Sequence, residues 1–128
     1  MPEKNHVLVV DDEEVIRDVC AQILVAEGYE VTTARNGKEA LREVSEKNFD
    51  VVVTDIMMPD MSGLELLEVI KSTSMDVCTV VITGLGTFDM ATQSDRLGAR
   101  EFVVKPFTPD ELSAAVGKAL SKHPPAVG

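Results

Sequence analysis

The sequence contains no tryptophan, one tyrosine and four phenylalanines, so aromatic residues are only 4% of a chain that is 45% apolar. A core made from it must rely on Val, Leu, Ile, Ala and Met, which favours a compact α/β or helical body. Cysteine is equally scarce: Cys20 falls in a helical pattern and Cys78 at the start of an apolar run. Their spacing suits neither a metal site nor a redox pair, which excludes a disulfide scaffold and leaves two buried free thiols as the expectation. No apolar run is long enough to span a bilayer, and the stretch before Asp11 is too short for a signal peptide, so a cytoplasmic protein without membrane attachment is expected. Positive charge is also sparse. Twelve Lys and Arg stand against 22 Asp and Glu, a net charge of -10, and the basic residues are scattered singly. Without a basic footprint, direct nucleic-acid binding is excluded. At 128 residues the chain fits one domain that can bury its own core, with no room for a second.

What is present is an alternation. Residues 6–10, 30–34, 50–54, 78–82 and 101–104 read as buried strands, each followed by helix-compatible sequence. Val15, Val19, Ile23 and Ala26 recur at helical spacing before Gly28, a suitable C-terminal stop; Ala40, Leu41 and Val44 repeat the pattern, and Leu64, Leu67 and Ile70 give a third face. The last helix presents Leu112, Ala115, Val116, Ala119 and Leu120, and Thr108-Pro109-Asp110-Glu111 spells a capping box with proline at the first helical position. Residues 87–97 are the weakest helix, with only Phe88, Ala91 and Leu97 at plausible core positions. Five strands alternating with helices imply a doubly wound α/β fold, a five-stranded parallel sheet with helices on both faces.

In such sheets ligands bind where the loops at the carboxyl ends of the strands converge. The expected strands end at Asp11 and Asp12, at Asp55, at Thr83 and at Lys105. Three carboxylates at close range resist joint ionisation, and a divalent cation with oxygen ligands relieves that repulsion. Mg²⁺ fits, because it takes a few carboxylates and completes its shell with water and phosphate oxygens. Singly, each residue has a plainer reading: Asp12 as a helix cap with Glu13 and Glu14 favouring the helix dipole, Asp55 as a loop residue, Thr83-Gly84 as a turn, Lys105 as a solvated charge. Together at one edge they point to phosphate chemistry.

Four segments in order, Val7-Leu8-Val9-Val10-Asp11-Asp12-Glu13, Val53-Thr54-Asp55-Ile56-Met57-Met58-Pro59 with Gly63, Val81-Ile82-Thr83-Gly84 and Glu101-Phe102-Val103-Val104-Lys105-Pro106-Phe107, closely resemble the receiver domain of two-component response regulators. The resemblance covers nearly the whole chain. It implies the flavodoxin-like strand order 2-1-3-4-5, a receiver domain over residues 1–122, and a tail or linker over 123–128. It implies further that Asp55 accepts a phosphoryl group, that Asp11, Asp12, Asp55 and the backbone carbonyl of Met57 hold Mg²⁺, and that Thr83 and Lys105 bind the phosphoryl oxygens. Phe102 would be the switching aromatic and Lys105-Pro106 a cis peptide. Met57 and Leu85, apolar where the family flanks the water path, imply slow self-dephosphorylation. The implied partners are a sensor histidine kinase or histidine phosphotransfer protein, a downstream effector or fused output domain, and a second copy of the chain in a phosphorylation-dependent homodimer.

Two other chemistries fit the residues poorly. A haloacid-dehalogenase-type phosphatase needs a second Asp two residues after its nucleophile, where this chain has Met57 after Asp55 and Glu13 after Asp11. A flavin or nucleotide binder needs a glycine-rich phosphate loop after the first strand, where this chain offers Asp-Asp-Glu-Glu. A receiver that has lost its chemistry and acts only as an interaction module is the remaining alternative. His123, in the Pro-rich end of the chain, has no partner at ligand spacing.

Overall fold

A computed structural model describes residues 4–73 and 76–122, with only the backbone of Lys122 included. Five strands, β1 (His6–Val10), β2 (Glu30–Ala34), β3 (Val51–Asp55), β4 (Cys78–Thr83) and β5 (Ala99–Val104), alternate with helices α1 (Glu14–Ala26), α2 (Gly37–Glu46), α3 (Gly63–Ser72), α4 (Phe88–Arg96) and α5 (Pro109–Lys122). All strand pairs are parallel, in the order β2-β1-β3-β4-β5. The doubly wound fold and its strand order are those expected. No helix among the described residues is long and apolar enough to cross a membrane.

The period of two along each strand sorts the core into layers. Val7 and Val9 of β1, Val51 and Val53 of β3, and Cys78, Val80 and Ile82 of β4 face α1 and α5, where they meet Cys20, Leu24, Leu112, Val116 and Ala119. Leu8, Val10 and Val52 face the other way, against Ala40 of α2 and Leu66 and Ile70 of α3. A smaller cluster of Ile56, Leu67, Val81 and Ala99 lies beneath α4, joined by part-buried Met90, Leu97 and Phe102.

Local chemistry sets the helix ends. Asn36, Ser62 and Thr87 cap α2, α3 and α4 by accepting from Glu39, Glu65 and Met90 backbone N–H groups at 2.8, 3.2 and 3.1 Å. At α5 both bonds of the capping box form, Thr108 N to Glu111 Oε1 at 2.8 Å and Glu111 N to Thr108 Oγ1 at 3.1 Å. Gly28 follows α1 with φ 95°, the left-handed conformation that a C-terminal glycine supplies without strain.

Two core expectations are corrected. The buried stripe of α1 is Ile16, Cys20, Ile23 and Leu24, whereas Val15 and Val19 are exposed at 71% and 41%, and Ala26 is exposed too. The two stripes lie side by side on the helix, and only the angle at which α1 leaves β1 selects between them. Phe88 is likewise not core: it is 87% exposed, because α4 turns Met90, Ser94 and Leu97 to the sheet instead. Cys20 and Cys78 are free and buried as expected. Burial, with the Asp11 charge adding to it, pushes the Cys20 thiol up to about 12, and burial raises Cys78 as well.

Candidate functional site

Register brings the chemical residues together. Val10 lies opposite Thr54, Asp55 opposite Ile82, and Thr83 opposite Val104. Asp11, Asp55, Thr83 and Lys105 therefore stand side by side at the carboxyl edge of the three central strands and β5.

Lys105 is the hub. Its ammonium donates to Asp11 Oδ2 and to Asp55 Oδ2, both at 2.9 Å, and lies 3.8 Å from Glu13 Oε1. Asp11 is wholly buried and Asp55 nearly so, so their mutual repulsion is poorly screened and a shared cation offsets it. The second oxygen of each carboxylate accepts a backbone N–H: Glu13 N donates to Asp11 Oδ1 at 2.9 Å and Met57 N to Asp55 Oδ1 at 3.2 Å. Burial lifts the Asp11 carboxyl above its ordinary range, against the opposing pull of the Glu13 N–H and Lys105. Burial alone would lower the Lys105 pKa, but the hydrogen bonds and charges of Asp11 and Asp55 outweigh it and lift the ammonium above the usual lysine value. Lys105 is thus charged throughout the physiological pH range.

Asp12 is exposed beside this pair, and the cap position of α1 belongs to Glu13, which makes no side-chain cap bond. The capping reading of Asp12 therefore does not hold. Carboxylate oxygens of Asp11, Asp12, Glu13 and Asp55 lie within 4.8 Å of one another. An all-oxygen set of this density suits a hard divalent cation of the Mg²⁺ type. Sequence reasoning assigned Glu13 only to the helix dipole; its adjacency to Asp11-Asp12 was the available signal. It also missed Arg17, whose guanidinium donates to the Asp11 carbonyl at 2.7 Å and fixes the turn from β1 into α1.

The loop after β3 is shaped by close approach. The Gly63 N–H donates to the Ile56 carbonyl at 2.8 Å, and a Cβ at Gly63 would lie 2.0 Å from the Asp55 carbonyl oxygen. Only glycine fits there. Thr83 is fully buried and its hydroxyl accepts from the Leu85 N–H at 3.1 Å, while the Lys105 N–H donates to the Thr83 carbonyl at 2.8 Å, tying the ends of β4 and β5 together. The Lys105–Pro106 peptide is cis. Met57 and Leu85 are exposed in the loops that follow β3 and β4. Phe102 does not reach the carboxylates through any described bond; it is half-buried among Val81, Met90 and Leu97. A hollow of ≈ 420 Å³ lies elsewhere, lined by Lys47, Asn48, Phe49 and Asp50 at the opposite edge of the sheet, and contains none of these residues. Chemistry, not cavity size, locates the site.

Comparison with known proteins identifies the family. The model of the response regulator receiver domain matches residues 7–117, and the chain belongs to this family. Response regulator SaeR of Staphylococcus aureus (strain USA300) is 36% identical over 118 residues, covering 92% of this chain and 51% of SaeR. The chain thus spans about half the length of the curated relatives it matches. A CheY-like receiver domain protein from Methanospirillum hungatei JF-1 superposes with a TM-score of 0.89 at 31% identity, covering 94% of this chain and 97% of that one. Response regulator TrrA from Thermotoga maritima, solved in complex with Mg(2+)-BeF, superposes with a TM-score of 0.82 at 40% identity, covering 91% of this chain and 99% of that one.

Proposed function

We propose that the chain is a phosphorelay switch in which Asp55 takes a phosphoryl group from a phosphohistidine of a sensor kinase or phosphotransfer protein. The observation that carries this reading is the Lys105 ammonium held at 2.9 Å from both Asp11 and Asp55. It stands where a transferred phosphoryl oxygen would need a cation. An oxygen of Asp55 forms a bond to phosphorus as the phosphorus–nitrogen bond breaks, and the imidazole keeps the electron pair and takes up a proton. The acceptor needs orientation more than activation, and the Met57 N–H on Asp55 Oδ1 supplies it.

Asp11, Asp12 and Asp55 with the Met57 carbonyl would hold Mg²⁺, which supplies charge neutralisation for the transferring oxygens. The dense oxygen donor set and the Mg(2+)-BeF complex of TrrA support that assignment. Lys105 would move its pairing from carboxylate to phosphoryl oxygen. The Thr83 hydroxyl, which accepts from Leu85, retains its own proton to donate to the new group. That bond would draw the β4–α4 loop inward and let Phe102 repack against the α4 cluster, biasing two arrangements of the α4–β5–α5 face. Residues 1–122 act as the receiver unit. Residues 123–128, which lie outside the described residues, would be a tail or the start of a linker to an output domain. The switched face addresses a downstream effector, or a second copy of the chain in a homodimer, in the cytoplasm.

The test is intact mass after incubation with acetyl phosphate, with and without Mg²⁺, with Asp55→Asn as control. One Mg²⁺-dependent phosphoryl adduct, absent in the variant, is expected. No adduct under any condition would overturn the reading in favour of an interaction module without phosphorylation chemistry.

A further inference from the structure

The loop between β3 and α3 carries three thioethers in unequal surroundings. Met58 and Met61 are part-buried against the core under α2 and α3. The Met61 sulfur fills the notch left by Gly37, where a Cβ would lie 2.6 Å from it. Met57 is 57% exposed, yet its backbone N–H donates to Asp55 Oδ1 at 3.2 Å, so its side chain springs from a Cα only about 1.5 Å beyond that amide nitrogen. Met90 is part-buried on the sheet-facing side of α4, and Met1 and Met75 lie outside the described residues. Accessible thioethers are oxidised readily, and packed ones are protected. The two thiols do not compete: both are buried, with the thiolate form suppressed.

We propose that Met57 is an oxidation site through which a hydroperoxide shortens the life of the phosphoryl group on Asp55. The Met57 sulfur attacks one oxygen of hydrogen peroxide and gives up two electrons. The O–O bond breaks, an S=O bond forms, and the other oxygen leaves as water with both protons. The product exchanges an apolar group for a strong hydrogen-bond acceptor at the mouth of the site. A water held by that oxygen would stand beside the group on Asp55, to which the Met57 backbone is bonded. The effect on phosphoryl lifetime rests on the Asp55 reading above; the oxidation itself does not.

The full chain would be treated with hydrogen peroxide and mapped by peptide mass spectrometry over time. Sulfoxide at Met57 is expected to form several-fold faster than at Met58, Met61 or Met90; equal rates, or faster oxidation of Met58 or Met61, would overturn the site. The chain would then be phosphorylated with acetyl phosphate and Mg²⁺, and decay of the adduct followed by intact mass with and without prior oxidation. Decay at least roughly threefold faster after oxidation is expected, a modest barrier change. Met57→Leu should decay at its own rate, unaltered by peroxide, and Met57→Gln, polar and not oxidisable, faster than Met57→Leu. Unchanged decay after complete Met57 oxidation overturns the proposal. Absence of any adduct on the untreated chain overturns the Asp55 reading and with it the lifetime effect, while the mapping still decides the oxidation site.

Discussion

Helices α5 and α4 flank the same strand, β5, and are held in opposite ways. In α5, Leu112, Ala115, Val116 and Ala119 are buried in the core shared with α1, and both bonds of its capping box form. In α4, Ser94 is the one fully buried side chain, Phe88 stands 87% exposed, and the Thr92 and Ser94 hydroxyls donate back to the Phe88 and Met90 carbonyls. Such back-bonding slightly weakens a helix. The difference teaches where this fold spends its packing. The α1–α5 side is a fixed wall behind Lys105, and the α4 side is the part whose position little apolar burial defends, a property expected of an element that moves.

The comparison can be broken most directly in the core. Leu112→Ala should lower unfolding free energy by about 3 kcal/mol in urea denaturation, as large-to-small changes at fully buried leucines do. A loss as small as that of a surface change would mean that α5 is not the fixed wall. Next in size, Thr108→Ala should cost about 1 kcal/mol, since it removes half of the capping box. Phe88→Ala should stay within about 0.5 kcal/mol, as expected of an exposed side chain. A larger loss there would mean that α4 is anchored through that ring. Native-state amide exchange sharpens the contrast: α4 amides should exchange ahead of those in α5, and a reversed order would refute the assignment of rigidity. The smallest signal is chemical. Cys20 and Cys78 should resist a thiol reagent at neutral pH in the folded chain, with Leu112→Ala hastening the reaction and Phe88→Ala leaving it alone.

Much of this was readable from residues. Most strands announced themselves by short runs rich in Val and Ile, and Asp11, Asp55, Thr83 and Lys105 by standing just after the expected strands, so alignment of strand ends placed them together. The capping box of α5 was legible because it is local chemistry. The start of β5 was not: it begins at Ala99, because Arg100 sits at an irregularity opposite the Thr79–Val80 step and breaks the alternation that marks a strand. The buried stripe of α1 and the orientation of Phe88 depend on how each helix is rotated against the sheet, which hydrophobicity along the chain does not encode when two apolar stripes adjoin. Glu13 and Arg17 were missed for a related reason: their roles are set by the turn that carries β1 into α1, and neither belongs to an apolar pattern.

The missing side chain at Gly63 decides how the site carries load. With the Asp55 carbonyl pressed where a Cβ would be, and the Gly63 amide bonded to Ile56, the backbone behind Asp55 is braced against the first turn of α3. That turn is itself wedged in place by Leu66 and Leu67. Were the Asp55 side chain to gain bulk, a seat braced in this way would not recoil, and displacement would be thrown forward across the crevice. The loop that follows Thr83 has room, since a Cβ at Gly84 would meet nothing within 4 Å. Asp55 is the anvil of the site, and the loop beyond Thr83 is the side free to give.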